Sequence, residues 1–154
     1  MAVERSLILI KPDAVQRRLA GDILARIERR GLTLRAGKLV HVDRNLGETH
    51  YAEHREKPFF GSLVEFITSR PLVVLALQGP NAIAVVRDMN GRTKPFEAAP
   101  GSIRGDFALE TAQNLVHASD GPEAAARELE LWFRPDELID YERELDRWTF
   151  SAEG

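Results

Sequence analysis

The apolar run at residues 72–77 constrains the fold of this chain more than any other segment. It reads Leu-Val-Val-Leu-Ala-Leu and lies between a proline and a Gly-Pro pair. A short apolar run between turn residues is typical of a strand that is buried on both faces. A similar run at residues 6–10 stops before Pro12, and proline is disfavoured inside a sheet. The chain is therefore predicted to build its core around buried strands.

Apolar residues recur at helical spacing in four other segments. Spacings of three and four residues collect them on one side of a helix, which can then pack on a sheet. The four sets are Ala20-Ile23-Leu24-Ile27, Phe60-Leu63-Val64-Ile67, Ala82-Val85-Val86-Met89 and Ala125-Leu129-Trp132-Phe133. Residues 32–42 are predicted to form another strand, and Asn45 is predicted to cap a short helix that runs through His54. This order of elements predicts an α+β fold and is compatible with the ferredoxin-like βαββαβ pattern with insertions.

Composition restricts the class of protein. The chain has 154 residues, a formal net charge of −3, 29% charged residues and no cysteine. We expect a single domain over residues 1–154, and a net acidic chain does not suit a general binder of nucleic acid or of membrane surfaces. No apolar run approaches the roughly 20 residues of a membrane-spanning helix, and the first residues do not resemble a signal peptide. We therefore expect a cytoplasmic protein without disulfides.

Residues 114–120, Asn-Leu-Val-His-Ala-Ser-Asp, contain the strongest candidate for chemistry. Two apolar residues precede His117, and the helix-opening residues Ser119, Asp120 and Pro122 follow it. His117 is therefore predicted to lie where a strand ends and a helix begins, a position that favours anions. Neutral imidazole is abundant near pH 7 and can attack phosphorus. The alternative is a histidine that only packs or caps, and the neighbouring amide, hydroxyl and carboxylate weigh against it.

Several other candidates have an ordinary structural alternative. Lys11 is predicted at a strand end and Arg87 lies off the buried side of its helix, so both could simply be solvent-exposed cations. Phe59 lies outside the apolar stripe of its helix, which fits loop packing equally well. Glu128 lies among the stripe residues of the last helix, so we expect it to be partly buried. Residues 92–102 form a long loop, and long loops in compact proteins are often functional.

His50 and His54 lie four residues apart on one side of the predicted short helix. A zinc protease of the His-Glu-x-x-His type requires Glu directly after the first histidine, where this chain has Tyr51. A third ligand is not evident in the sequence. We therefore expect these histidines on a solvated helix face, and a metal-dependent hydrolase is the weakest alternative.

The segment Asn-x-x-His-Ala-Ser-Asp resembles the active-site motif of the nucleoside diphosphate kinase family, whose members more often have glycine where this chain has Ala118. The resemblance extends from about Arg5 to about Trp148 and includes residues 103–107, Ile-Arg-Gly-Asp-Phe. It implies a ferredoxin-like βαββαβ fold in which helices cover a four-stranded antiparallel sheet. It also implies a long loop at a nucleotide cleft and a C-terminal tail.

Members of this family move the γ-phosphate of a nucleoside triphosphate, typically ATP, to a nucleoside diphosphate in two half-reactions. By resemblance, His117 is the nucleophile that becomes a phosphohistidine. Glu128 supports it, Ser119 links the two, and Tyr51 lies close by. Such a transfer follows ping-pong kinetics because one site serves donor and acceptor, and the family tolerates many bases. The alternative function is a non-catalytic regulatory or nucleic-acid-binding module on the same fold.

The resemblance also implies a set of substrate contacts. They are Lys11, Arg87, Arg104 and Thr93 to the phosphates, Asn114 and Lys11 to the sugar 3′-hydroxyl, and Phe59 to the base. Arginine suits phosphate through its planar fork of donors, and stacking tolerates every base because each has a π-face. Mg²⁺ would arrive with the nucleotide and keep several waters. Asp120 would reach it through water or, equally well, cap the following helix.

Nucleoside di- and triphosphates are therefore the expected partners, with no specific nucleic acid and no membrane. The family assembles into hexamers, or into tetramers in some bacteria. Trp148 and Phe150 are apolar residues in a polar tail, which predicts docking on a surface such as a neighbouring subunit. We therefore expect a homohexamer, with a homotetramer as the alternative.

Overall fold

The sheet at the centre of the fold is antiparallel throughout. The computed structural model of the chain describes residues 3–151. Within this range the strands are β1 (Val3–Ile10), β2 (Thr33–Val40), β3 (Leu72–Pro80) and β4 (Val116–Ala118). They lie side by side in the order β2-β3-β1-β4, and each neighbouring pair is antiparallel. This arrangement is a ferredoxin-like sheet, so the predicted α+β fold is confirmed.

The helices lie where the apolar stripes predict them, with two short additions. Across residues 3–151 they are α1 (Pro12–Gln16), α2 (Ala20–Arg30), α3 (Arg44–His50), α4 (Phe60–Thr68), α5 (Ala82–Asn90), α6 (Ile103–Phe107) and α7 (Pro122–Trp132). Each predicted stripe belongs to α2, α4, α5 or α7. Helices α1 and α6 have five residues each, which is too short for an apolar period to be visible. Within the part of the chain that the structure describes, no helix has the length and apolar character needed to span a membrane.

Short 3₁₀ turns complete the secondary structure of the described range. They lie at Ala52–His54, Pro95–Glu97, Pro135–Glu137 and Glu144–Trp148. The second of them lies in the loop that was predicted at residues 92–102. That loop is therefore folded over part of its length.

Both faces of the sheet are covered, which explains why its central strands are apolar at successive positions. Side chains alternate between the two faces of a strand. Ile8 of β1 shares a buried cluster with Ile23 of α2 on one face. Its neighbour Leu7 shares a second cluster with Ile67 of α4 and Trp132 of α7 on the other face. Strands that are buried on both faces have continuous apolar runs rather than alternating ones.

Two predicted helix starts are shifted along the chain. Asp43, not Asn45, caps α3, and its side chain accepts a hydrogen bond at 2.7 Å from the backbone N–H three residues later. Asp43 has the extended backbone of an N-cap, whereas Asn45 already lies inside the helix. Gly121 is the N-cap of α7, so the capping role considered for Asp120 is wrong.

The C-terminal tail packs on the edge strand β2. The Ile139 N–H donates to the Arg35 carbonyl oxygen at 2.9 Å, and the Tyr141 hydroxyl donates to the Leu34 carbonyl oxygen at 2.6 Å. Further along, Trp148 is 78% exposed. The first part of the tail is thus tied to its own chain, while Trp148 remains accessible.

Candidate active site

A cleft of about 280 Å³ contains most of the predicted site residues. It lies between the ends of β1 and β4, helix α5 and the loop that follows α5. The predicted residues in its walls are Lys11, Tyr51, Arg87, Thr93, Arg104, Asn114, His117 and Asp120. Ser119 and Glu128 lie behind His117, and Phe59 lies beside the cleft. The fold therefore assembles in one place residues that are far apart in the chain.

His117 forms the floor of the cleft on β4, where it is paired with Leu9 of β1. Its Nε2 lies 2.8 Å from Glu128 Oε2, and the Ser119 hydroxyl donates to Glu128 Oε1 at 2.6 Å. Ser119 and Glu128 are buried, whereas the His117 side chain is 27% exposed. The carboxylate therefore fixes one ring nitrogen and leaves the other, Nδ1, on the far side of the ring.

The carboxyl group of Glu128 stays ionised in spite of its burial. Burial by itself raises its pKa, but the hydrogen bond with His117, the charge of that ring in its protonated form, and the hydrogen bond of Ser119 outweigh this effect. The pKa of Glu128 therefore lies below its usual value. An ionised carboxylate only accepts hydrogen bonds. The neutral ring of His117 thus carries its proton on Nε2 and a lone pair on Nδ1.

Residues that follow the end of β1 hold the turn before β4. Leu115 has a left-handed backbone with φ 75°, which is uncommon for a residue other than glycine. Its N–H donates to Asp13 Oδ2 at 3.0 Å, and its carbonyl oxygen accepts from the Lys11 N–H at 2.9 Å. These bonds fix the direction in which β4 enters the cleft. The sequence does not single out Asp13, because an acidic residue in the first turn of a helix is ordinary.

Lys11 and Asn114 join the first strand end to the loop that follows α5. The Lys11 ammonium donates to Asn114 Oδ1 at 2.7 Å, and Asn114 Nδ2 donates to the Thr93 carbonyl oxygen at 3.0 Å. Burial lowers the pKa of Lys11 to about 8, with the Asp13 carboxylate opposing this shift and Arg104 adding to it. The predicted solvated alternative for Lys11 is therefore wrong, because the ammonium is buried at the end of β1.

Arg104 forms hydrogen bonds to the backbone that the sequence does not predict. Its guanidinium donates to the carbonyl oxygens of Gly91 at 2.8 Å, Val116 at 2.6 Å and Asn114 at 3.2 Å. A guanidinium has five N–H bonds, so within the described structure two remain for an anion in the cleft. Burial, and next the charge of Arg87, lower the pKa of Arg104 to about 10. Arg104, which lies on α6, thus connects the two ends of the segment between α5 and β4 while it lines the cleft.

The outer part of the cleft is more open to solvent. Arg87, Thr93 and Asp120 are exposed side chains in its wall. Phe59 is 46% exposed, and its ring centroid lies 5.6 Å from that of His54, which lines the cleft. Phe59 therefore lies at the rim, next to the His54 ring of the wall.

His50 lies in the interior of the fold, beside His117. The prediction of a solvated face is wrong for it, because it is 6% exposed. Its Nδ1 accepts a hydrogen bond from Trp132 Nε1 at 3.1 Å, and its ring centroid lies 4.7 Å from that of His117 with the planes at 82°. Tyr51, the next residue, also contacts the His50 ring, at 4.8 Å between centroids.

His54, which was considered as a partner of His50, does not belong to the histidine cluster of the described residues. Among residues 3–151, the side chains with close metal-ligand atoms are instead His50, His117 and Glu128, within 4.8 Å of one another. The hydrogen bonds from Trp132 to His50 and between His117 and Glu128 already use atoms of all three. The arrangement is thus explained by hydrogen bonding.

Known proteins resemble this chain over almost its whole length. The family model for nucleoside diphosphate kinase matches residues 4–138. A nucleoside diphosphate kinase of Mycobacteroides abscessus is 65% identical over 131 residues, which cover 84% of this chain and 96% of that protein. Another, of Thermomicrobium roseum, is 55% identical over 149 residues, which cover 97% of this chain and 100% of that protein.

A solved structure has the same fold. The nucleoside diphosphate kinase of Halobacterium salinarum in complex with CDP is 43% identical, with a TM-score of 0.94 and coverage of 97% of this chain and 100% of that one. Sheet, cleft and relatives together define a nucleotide-binding phosphotransferase on a ferredoxin-like fold. The chain belongs to the nucleoside diphosphate kinase family. The relatives, at this identity and coverage, support the same enzyme here.

Proposed function

We propose that this chain transfers the γ-phosphate of a nucleoside triphosphate, typically ATP, to a nucleoside diphosphate through a phosphohistidine at His117. The observation that supports this proposal is the hydrogen bond between His117 Nε2 and Glu128. It directs the lone pair of the neutral ring to Nδ1, on the side away from the carboxylate. A histidine held in one tautomer is a suitable nucleophile.

The two half-reactions balance without any further reactant. In the first, Nδ1 attacks the γ-phosphorus, the bond from that phosphorus to the bridging oxygen breaks, and the nucleoside diphosphate leaves with the electron pair. In the second, a terminal oxygen of the acceptor diphosphate attacks the phosphohistidine, and the P–N bond breaks and returns its electron pair to Nδ1. One site therefore serves donor and acceptor in turn, which gives ping-pong kinetics.

The cationic side chains of the cleft suit a transfer of this kind. Lys11, Arg87 and Arg104 all line it, in a chain whose net charge is −3. A phosphoryl transition state is loose, so that catalysis consists mainly of positioning and charge stabilisation. The Halobacterium salinarum relative binds CDP, which supports a nucleotide as the ligand. The hydroxyl of Thr93 would add a donor to the phosphates.

The remaining contacts concern the sugar and the base. Lys11 and Asn114, which are bonded to each other, would share the 3′-hydroxyl of the ribose. Phe59 would stack on the base from the rim. Stacking without hydrogen bonds to the base edge gives broad base tolerance. Tyr51 would close the side of the cleft next to His117.

Magnesium fits the outer wall of this cleft. Asp120 and Glu53 are exposed carboxylates in that wall, and Mg²⁺ prefers oxygen ligands and retains water. Asp120 would hold it through water, since neither carboxylate belongs to a closed cage. When bound, the ion would neutralise part of the phosphate charge.

Phosphoenzyme formation tests the proposal directly. The full chain is incubated with γ-labelled ATP, and an acid-labile, base-stable label on the protein is expected. Addition of an unlabelled nucleoside diphosphate should remove the label into a triphosphate. His117→Ala should not become labelled, whereas the exposed His41→Ala should behave like the wild type. Absence of label on the wild type would contradict the proposal and favour a non-catalytic module.

We also propose that the chain assembles as a homohexamer. The accessible Trp148, 78% exposed on the tail, supports a contact with another subunit. Light scattering should give six times the mass of one chain, and a fourfold mass would favour the homotetramer. A monomer mass would contradict both. The single domain over residues 1–154 and the cytoplasmic location stay predictions.

A further inference from the structure

His50 is a buried polar residue to which the proposed mechanism gives no task. It packs edge-on against His117, with 4.7 Å between the ring centroids and 82° between the planes. On its other side Trp132 Nε1 lies 3.1 Å from His50 Nδ1. Trp132 is itself buried, at 3% exposure. The two residues therefore form a fixed layer behind the His117 ring.

The hydrogen bond from Trp132 specifies the tautomer of His50. An indole N–H can only donate, so His50 Nδ1 must be the acceptor and carry a lone pair. The proton of the neutral His50 ring then lies on Nε2. A positively charged His50 would turn an Nδ1–H toward the indole N–H, which would leave two donors facing each other.

The surroundings of His50 also favour its neutral form. The titratable groups that face it are Glu128 and Arg127 of α7, His117 of β4, and Tyr51 and His54 beyond the end of α3. Burial, followed by the charge of His117 in its protonated form, lowers the pKa of His50 to about 3 against the opposing effect of Glu128. A neutral His50 is thus consistent with both its hydrogen bond and its environment.

Glu128 lies between the two histidines and cannot serve both equally. Its Oε2 is 2.8 Å from His117 Nε2 and 3.9 Å from His50 Nδ1. If His50 carried a proton on Nδ1, it would compete with His117 for this oxygen. His117 would then lose the partner that holds its own tautomer.

We propose that the Trp132 N–H fixes His50 as a neutral ring with its proton on Nε2, and that this reserves Glu128 for His117. His50 and Trp132 are thus positioning residues, which act on the nucleophile through Glu128. The inference rests on the proposed function of His117. It makes a statement about His50, however, that can be measured without any turnover.

The first test is the protonation state of His50. Long-range ¹H–¹⁵N spectra of the ¹⁵N-labelled full chain distinguish the two tautomers and the charged ring. We expect a proton on Nε2 only, unchanged from neutral to weakly acidic solution. His41, which is exposed, provides a reference signal in the same spectra. A His50 that carries its proton on Nδ1, or that becomes charged over this range, would overturn the inference even in a fully active enzyme.

The second test removes the indole donor. In Trp132→Phe, His50 is free to take a proton on Nδ1 and to draw Glu128 away from His117. We expect the rate of phosphoenzyme formation to fall by about tenfold with an unchanged KM for ATP, and the long-range spectra of this variant to show a proton on His50 Nδ1. Trp148→Phe, which changes the other tryptophan of the chain, should leave the His50 signals unchanged.

A double variant separates this effect from damage to the core. His50→Asn keeps an acceptor near the position of Nδ1 but cannot become charged. Combined with Trp132→Phe, it should restore most of the rate that Trp132→Phe loses. A loss of rate that persists in the double variant, or a Trp132→Phe variant in which His50 still carries its proton on Nε2, would mean that Trp132 acts only by packing. If the wild type forms no phosphoenzyme, the proposed function fails, while the spectra still decide the tautomer of His50.

Discussion

The floor and the rim of the cleft are built differently. At the floor, Ser119 and Glu128 are buried and bonded to each other, and Glu128 also holds His117. At the rim, Arg87 is exposed and Phe59 is 46% exposed. The floor is thus arranged before any ligand arrives, which is what transition-state stabilisation requires. In the proposed complex, the ligand would have to order the rim side chains, and this would cost part of the binding energy.

This difference predicts separate consequences for mutations in the two regions. Changes at the floor should lower kcat or the stability of the fold, because they break buried hydrogen bonds. Changes at the rim should raise KM and leave the stability unchanged. The following predictions test that separation, from the largest expected effect to the smallest.

Glu128→Gln should have the largest effect. Glutamine is neutral and has one acceptor oxygen, so it cannot accept hydrogen bonds from both His117 and Ser119 as the two carboxylate oxygens do. The negative charge that holds the His117 tautomer is also lost. We expect the rate of phosphoenzyme formation to fall by about a hundredfold, with little change in KM. Glu130→Gln, an exposed position on the same helix, is the matched control. A loss of less than threefold at Glu128, measured in single-turnover labelling, would contradict the role of the floor.

The two arginines of the cleft should differ in their effect on stability. Arg104→Ala leaves three backbone carbonyl groups without their charged donor, so the free energy of unfolding should fall by about 3 kcal/mol. Arg87→Ala should change it by less than about 0.5 kcal/mol. Both variants should raise the KM for ATP. Denaturant titrations and initial rates measure the two quantities. Equal destabilisation by both variants would contradict the expected difference between a buried and an exposed arginine of the cleft.

Phe59→Ala should affect binding only. Loss of a base-stacking ring is expected to raise the KM for nucleoside triphosphates by about tenfold, with kcat and melting temperature unchanged. The rise should be similar for purine and pyrimidine nucleotides, since stacking does not read the base edge. Phe96→Ala, at a ring that is 82% exposed, serves as the control. A rise confined to one base would show that Phe59 contributes to specificity instead.

The titration of Lys11 should produce the smallest effect, a change in the KM for ATP with pH. Burial holds its pKa at about 8, so its charge is present below that pH and is lost as the pH rises through it. The KM for ATP should therefore rise by about threefold from neutral to moderately alkaline solution, since bound phosphate partly restores the proton. Lys11→Arg should show no such rise. A rise of the same size in that variant would assign the titration to another group.

The same shift in Lys11 has a defined effect on stability. Its folded pKa of about 8 lies below its ordinary value of 10.5, so the unfolded chain binds more protons between these two values. From this group alone, the free energy of unfolding should increase with pH over that window. Lys11→Met should remove this contribution.

The sequence is a good guide to the elements and a weaker one to their contacts. The helical stripes of α2, α4, α5 and α7 are visible because each of these helices packs one side on the sheet, so burial repeats along the chain. His117 is visible because its strand end and helix start are adjacent in sequence. The role of Asp13 is not visible, because its hydrogen-bond partner Leu115 lies 102 positions away.

His50 shows most clearly what local spacing in the sequence does not predict. The helix that was predicted to run through His54 ends at His50, and His54 lies in a separate 3₁₀ turn, so a spacing of four residues does not place the two side chains on one side. The buried side of His50 depends on α7, which brings Trp132 to it. A prediction from local spacing alone therefore gave a solvated histidine.

By itself, the sequence determined the order of the strands and of the longer helices and the resemblance to the family, and it offered His117 as the candidate nucleophile. Periodicity and motifs are read along the chain, so they need no knowledge of its folded contacts. Only the tertiary structure decided that Arg104 connects the ends of the segment between α5 and β4, that Asp13 holds the turn before His117, and that His50 lies beneath it. The physical reason is that a buried hydrogen bond needs its partner within about 3 Å in space. Distance along the chain places no limit on which residues can form it.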